Sequence, residues 1–112
     1  ARLLMKDEVI SVIIPTLNEE GSIGSTIEAL RAGVVERDTR LDVVVADGGS
    51  KDDTKRLVEA GKARFIQAGR GRGTQQNNAV PSTEGSSLIF LHADTRLPFG
   101  FDRIVRYGCR SN

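Results

Sequence analysis

Cysteine, aromatic residues and long apolar runs are all scarce in this chain of 112 residues, and each shortage removes possibilities. The lone Cys109 excludes an internal disulfide and any metal site made of cysteines alone, and leans toward a reducing compartment. Aromatics make up only 4% of the chain, so Ile, Val, Leu and Ala must build the core. No segment approaches the roughly 18 consecutive apolar residues of a membrane-crossing helix. The opening ARLLMKDE is too short and too charged for a secretory signal, so residues 1–8 are read as an extension, with Met5 a natural start after four added residues. An excess of one charge is missing too: 16 basic groups face 15 acidic ones, which gives nucleic acid no electrostatic footprint. The balance is uneven along the chain, with 8 basic and 12 acidic groups before residue 61 and 8 basic and 3 acidic from there on. That asymmetry fits a cleft with one anionic and one cationic wall, as well as chance.

What is present alternates. Val9 to Ile14 is a β-branched apolar run, broken by Ser11 and stopped by Pro15, and reads as a strand buried on both faces. Ile23, Ile27, Leu30 and Val34 recur at helical spacing, with Asn18 or Ser22 as the cap. Leu41 to Asp47 reads as a second strand ending in Gly48-Gly49. Ser50 and Asp53 form a capping-box pattern for a helix that turns Leu57 and Val58 inward and ends at Gly61. ARFIQA reads as a third strand, followed by a glycine- and arginine-rich stretch and a polar helix up to Pro81. SLIFLH is the fourth strand, and FGFDRIVRYG starts another helix. Strands joined by helices imply a parallel sheet with right-handed crossovers, hence an α/β sandwich of one domain. Ligands in such sheets bind beyond the C-terminal strand ends. That rule gives Thr16 to Glu20, Asp47, Gly69 to Gly73, and His92 to Thr95 a common address.

Each cluster has a plain and a functional reading. Asp47 is a turn former; or, with Ser50 serving as the cap, it is an acceptor free for the donors of a base or ribose. Arg70 and Arg72 belong to a surface loop, or meet phosphate oxygens beside a helix N-terminus. The run Gln75-Gln76-Asn77-Asn78 covers no core, so at least one of its side chains faces the cleft. His92 and Asp94 are two apart, which on an extended backbone points both the same way. They either close a turn or hold a divalent cation whose remaining ligands come from a diphosphate. Arg31, Arg37, Arg40 and the Lys51 region read as solvated helix faces. Arg103, Arg106 and Arg110 read as a solvated face or a basic stripe.

Together the four clusters resemble the inverting glycosyltransferases of family 2, with the GT-A fold. VIIPTLNEE resembles the family's first strand and nucleotide loop, VVVADGGSKDDT its second-strand motif, GRGTQQNNA its glycine-led helix, and LIFLHADTRLP the segment with its metal motif. The resemblance spans Val9 to Pro98 and implies the donor-binding part of a GT-A (Rossmann-like) domain over residues 9–112, shortened relative to the family. It implies Thr16 and Leu17 in the nucleobase pocket, Glu20 at the acidic end of the first loop, and Asp47 on the base. It places Arg72 and Asn77 near the diphosphate, and Asp94 on Mn²⁺ or Mg²⁺ and the sugar nucleotide. His92 stands where the family has a first metal-motif aspartate; His-Ala-Asp-Thr resembles the form of a bacterial subgroup. Gly48 stands in place of a second aspartate and Leu17 in place of an aromatic. The implied activity moves a sugar from a UDP-sugar to a lipid-linked or saccharide acceptor with inversion, in the cytoplasm or at its membrane. The family's base lies in a second half, so no residue here is read as that base; Asp102 is set aside because it belongs to a surface helix. A sheet cut short implies self-association through its edge. The rival readings are a nucleotidyltransferase, whose glycine-rich signature after strand one is absent, and a non-catalytic nucleotide- or carbohydrate-binding module.

Overall fold

Strands and helices alternate in the computed structural model, which describes residues 8–108; the proposed start at Met5, Cys109 and Arg110 lie outside that range. The elements are β1 (Glu8–Thr16), α1 (Ile23–Gly33), β2 (Thr39–Asp47), α2 (Thr54–Ala60), β3 (Arg64–Gln67), α3 (Arg72–Ala79), β4 (Ser87–Phe90) and α4 (Phe101–Gly108). A 3-10 turn over Val80–Ser82 links α3 to β4. The four strands form one parallel sheet in the order β3-β2-β1-β4. This is the α/β class that the apolar pattern predicts.

Period-two alternation sorts the side chains of β1 and β2 between two layers. Ile10, Val12, Ile14, Val43 and Val45 pack with Ile23, Ile27 and Leu30 of α1, Val58 of α2 and Phe101 of α4. Ile13, Val44 and Ala46 pack on the opposite face with Ala79 of α3. Ser11, the polar break in β1, lies beside Asp42 in register. Its hydroxyl donates to the Asp42 carboxylate at 2.7 Å, and the Arg64 guanidinium donates to the same group at 2.8 Å.

β1 does not stop at Pro15 but runs on to Thr16. The reason is the side that each residue presents. Ile13 accepts a bond from Leu91 on the β4 side, so Pro15, two residues on, faces that side too. The β4 pairing has ended by then, its last register pair being Ile13 with Phe90. The amide hydrogen that proline lacks is therefore not missed. The divergence of β4 from β1 at this point opens a crevice beside Pro15.

Three local expectations are corrected. The Ser50–Asp53 capping box does not form: Asp53 is the N-cap residue of α2 without a side-chain cap bond, and the Ser50 hydroxyl turns to Asp47. Asp102 is not on a surface but fully buried, its carboxylate accepting from the Val35 and Glu36 amides. Arg31 and Arg106 are not simply solvated either. Arg31 donates to the Gly61 and Lys62 carbonyls at the end of α2, and buried Arg106 grips Asp38 at 2.6 and 3.1 Å.

Candidate active site

The sheet is parallel, so all its strands end on one edge, and β1 is where the strand order reverses. A cleft of about 390 Å³ opens there, within the range of small-molecule sites. Three segments line it: Pro15, Thr16, Leu17 and Glu19 after β1; Arg70, Gly71, Arg72 and Gln75 at the start of α3; His92, Ala93 and Asp94 after β4. Of the residues expected from the sequence, Thr16, Leu17, Arg72, His92 and Asp94 come together in this cleft. Glu20, Asp47 and Asn77 are not in its lining.

Asp47 is 1% exposed and fully engaged. Its carboxylate accepts from the Thr16 hydroxyl at 2.7 Å, the Ser50 hydroxyl at 2.5 Å, the Ser50 amide at 2.7 Å and the Gly49 amide at 3.0 Å. A carboxylate offers about four acceptor sites, so the protein fills them. The expectation of a free acceptor failed because it assigned Ser50 to the helix cap. Gly49, at φ +107°, lets the chain curl back so that Ser50 reaches Asp47. Burial pushes the Asp47 carboxyl up, but the bonds from Ser50, Thr16 and Gly49 outweigh it and hold the group below the usual carboxylate value.

Glu20 belongs to a zipper between the loops that follow β1 and β2. Its carboxylate accepts from the Asp53 amide at 3.0 Å, and its own amide donates to Asp52 at 3.1 Å. Asn18, in the left-handed region at φ 55°, accepts from the Lys51 amide at 2.8 Å, and its amide donates to the Ser50 hydroxyl at 2.7 Å. These bonds fix the β1 loop so that Glu19 rather than Glu20 reaches the cleft.

On α3 the inward amide is Gln75, not Asn77. Gln75 is 4% exposed; its Nε2 donates to the carbonyls of Thr16 at 2.9 Å and Ala46 at 2.8 Å, and its Oε1 accepts from the Gly71 amide at 3.1 Å. A sequence signal existed. Ala79 is the apolar residue of this helix, and Gln75, one turn earlier, shares its face. Asn77 is exposed, and Asn78 accepts from the Gly69 amide at 3.0 Å.

After β4 the side chains alternate: Leu91 and Ala93 are buried, while His92 and Asp94 are exposed. The two thus line the cleft together, as their spacing predicts. Among the described residues no group of three or more His, Cys, Asp or Glu side chains is placed to hold a metal. A divalent cation takes about six oxygen or nitrogen ligands, so this pair fits one only alongside ligands from a bound anion and water. Arg70 and Arg72 add positive charge to the same cleft.

A parallel sheet with a polar cleft at its switch point and arginines at the mouth defines a nucleotide-binding α/β domain. The chain belongs to glycosyl transferase family 2, whose description matches residues 11–105. It is 33% identical over 90 residues to the uncharacterized glycosyltransferase YfnE of Bacillus subtilis, covering 75% of this chain and 22% of that protein. It is similar to the crystal structure of glucosyl-3-phosphoglycerate synthase from Mycobacterium tuberculosis in complex with Mn²⁺, UDP and phosphoglyceric acid. That match has 28% identity and a TM-score of 0.71, over 90% of this chain and 38% of the other. It is also similar to S. aureus TarS 1-349 in complex with UDP, at 26% identity and a TM-score of 0.74, over 88% of this chain and 30% of the other. These likenesses give the chain a GT-A (Rossmann-like) fold. The chain spans 22–30% of the length of the curated relatives it matches. No described helix is long and apolar enough to cross a membrane.

Proposed function

We propose that the chain is the donor-binding part of an inverting glycosyltransferase that takes a sugar from a UDP-sugar to an acceptor hydroxyl. The observation that carries this reading is the cleft itself, where the ends of β1 and β4 and the two arginines at the entry to α3 converge on one small-molecule site. UDP is favoured because it is the nucleotide bound in the similar structures. The base lies against Thr16 and Leu17. Asp47 holds Thr16 in place and would accept from the base only by exchanging the Ser50 hydroxyl for it. Arg70 and Arg72 meet the diphosphate, whose charge grows as the sugar departs. His92 and Asp94 would hold a Mn²⁺ or Mg²⁺ ion. Such an ion, when bound, supplies further charge stabilisation for the leaving diphosphate. The acceptor hydroxyl loses its proton to a base that is not assigned to any residue here; Asp102, buried and bonded to two amides, is not placed for it. A lipid-linked or saccharide acceptor and a site of action at the cytoplasmic membrane surface belong to the same reading. The outer edge of β4, unpaired among the described residues, with Leu88 and Phe90 40% and 50% exposed, supports self-association there.

Calorimetry with UDP, with and without Mn²⁺, tests the donor site. Wild type is expected to bind UDP more tightly with Mn²⁺, and Asp94→Ala to lose that gain. Metal-independent binding in both proteins sinks the cation assignment, and no UDP binding by the folded chain sinks the uridine donor.

A further inference from the structure

The corner that carries His92 and Asp94 has little backbone support of its own. The last sheet bond on this segment runs from the Leu91 amide to the Ile13 carbonyl at 2.9 Å. The next, from the Thr95 amide to the His92 carbonyl at 3.0 Å, closes a turn within the loop itself. Among the described residues, one bond ties the backbone between His92 and Asp94 to the rest of the fold. The hydroxyl of Thr26, in the first turn of α1, donates to the carbonyl of Ala93. Thr26 is 1% exposed and Ala93 4%, so this bond is shielded from water.

Its direction is set by chemistry. Threonine and serine hydroxyls in helices often turn back to a carbonyl of the preceding turn, as Ser25 does toward Ser22 at 3.1 Å. Thr26 does not. Arg96, two residues beyond Asp94, donates its Nη1 to the Thr26 hydroxyl and its Nη2 to the Ser25 hydroxyl at 2.7 Å. A guanidinium only donates, so Thr26 must accept from it, and its single proton is left for Ala93. The loop is thereby stapled to α1 on both sides of Asp94.

We propose that Thr26 and Arg96 are positioning residues that hold His92 and Asp94 at the spacing a cation–diphosphate pair requires. The inference rests on the donor-site reading above. Neither residue lines the cleft, so neither is assigned a contact with the ligand. The physical ground is the spacing. The two candidate ligands flank Ala93, so freeing that one carbonyl loosens both at once. Groups that orient ligating residues in this way typically change metal affinity by roughly 10- to 100-fold when removed.

The test compares UDP affinity with and without Mn²⁺ in the chain and its variants, alongside thermal unfolding. Thr26→Val removes the hydroxyl and keeps the side chain's shape. Metal-free UDP affinity is expected to stay within about twofold of wild type, while the Mn²⁺-dependent gain falls by roughly 10- to 100-fold. Thr26→Ser, which restores the hydroxyl, is expected to recover the gain. Arg96→Gln, at an exposed position, is expected to lose part of it with an unchanged Tm. A full Mn²⁺ gain in Thr26→Val overturns the proposal. So does a parallel loss of metal-free and Mn²⁺-dependent binding that Thr26→Ser fails to rescue, since that marks a general folding defect. Should Thr26→Val not fold, Arg96→Gln decides, and a wild-type gain in it overturns the proposal. Asp94→Ala separates the two readings. If it keeps the gain, or if wild type has none, the donor site fails and this inference falls with it. If Asp94→Ala loses the gain while Thr26→Val keeps it, only the positioning role fails.

Discussion

Asp47 shows what a single buried carboxylate does for this site. Four protein donors keep it ionised, and through Thr16 it sets the floor of the cleft. Its folded pKa lies below the ordinary 3.8, as does that of Asp42. At Asp42 burial again pushes upward and is outweighed, here by the Glu84 amide, the Ser11 hydroxyl and the Arg64 guanidinium. A lowered folded value contributes stability that is fully present above the unfolded pKa and is lost as pH falls through the folded one. Thermal unfolding followed by circular dichroism is therefore expected to give a flat Tm between about pH 7 and pH 5, falling below about pH 4. Asp47→Asn keeps one acceptor oxygen of two: with Oδ1 on the Gly49 and Ser50 N–H groups, its NH2 faces the Thr16 and Ser50 hydroxyls, which can no longer donate to it. It is expected to lower stability at neutral pH by roughly 1–3 kcal/mol and to make the acid limb shallower. An unchanged acid limb in the variant would remove Asp47 from this account.

At the scale of elements, α3 is the part least legible in the sequence. Its composition announces a polar helix, but not how that helix is held. Gln75 is the answer, and it needs the bare backbone of Gly48. A Cβ at Gly48 would lie 2.9 Å from the Gln75 Oε1 and 3.0 Å from its Cδ. The bare backbone at Gly48 thus makes room for a buried amide that bonds the ends of both β1 and β2. Gly48→Ala is expected to displace Gln75 and cost roughly 1–3 kcal/mol, read from urea midpoints. Combined with Gln75→Ala, the two costs should be less than additive; full additivity would show that they do not meet. The strands were legible because β-branched runs have few alternatives. The roles of Asp47, Glu20 and Ser50 were not, because each depends on a partner more than 30 residues away or on a backbone turn. Thr26 and Arg96 were hidden for the same reason, their contacts being separated by 67 and 70 residues.

At the scale of the molecule, the address of the site was readable and its detailed wiring was not. Parallel winding alone gathers the strand ends, so Thr16, Leu17, Arg72, His92 and Asp94 could be placed together before any coordinates. The same winding distributes stability unevenly. β1 and β2 pair over nine residues, whereas β3 and β4 contribute four residues each at the two margins. Native-state amide exchange is expected to show global protection at Ile10, Val12, Ile14, Val44 and Ala46, whose N–H groups lie between β1 and β2, and faster exchange across Ile89 to Leu91. Equal protection of β4 and β1 would contradict this ranking.

The central position of β1 has a consequence during synthesis. β1 is made before both of its neighbours: β2, its nearest partner, lies 31 residues further along, and β4 follows later still. The segment from Ile10 to Ile14, apolar but for Ser11, must therefore wait for both neighbours. During that interval it is open to chaperones and to the same strand on another nascent chain. The wait ends only when Leu91, which makes the last bond to β1, has been made.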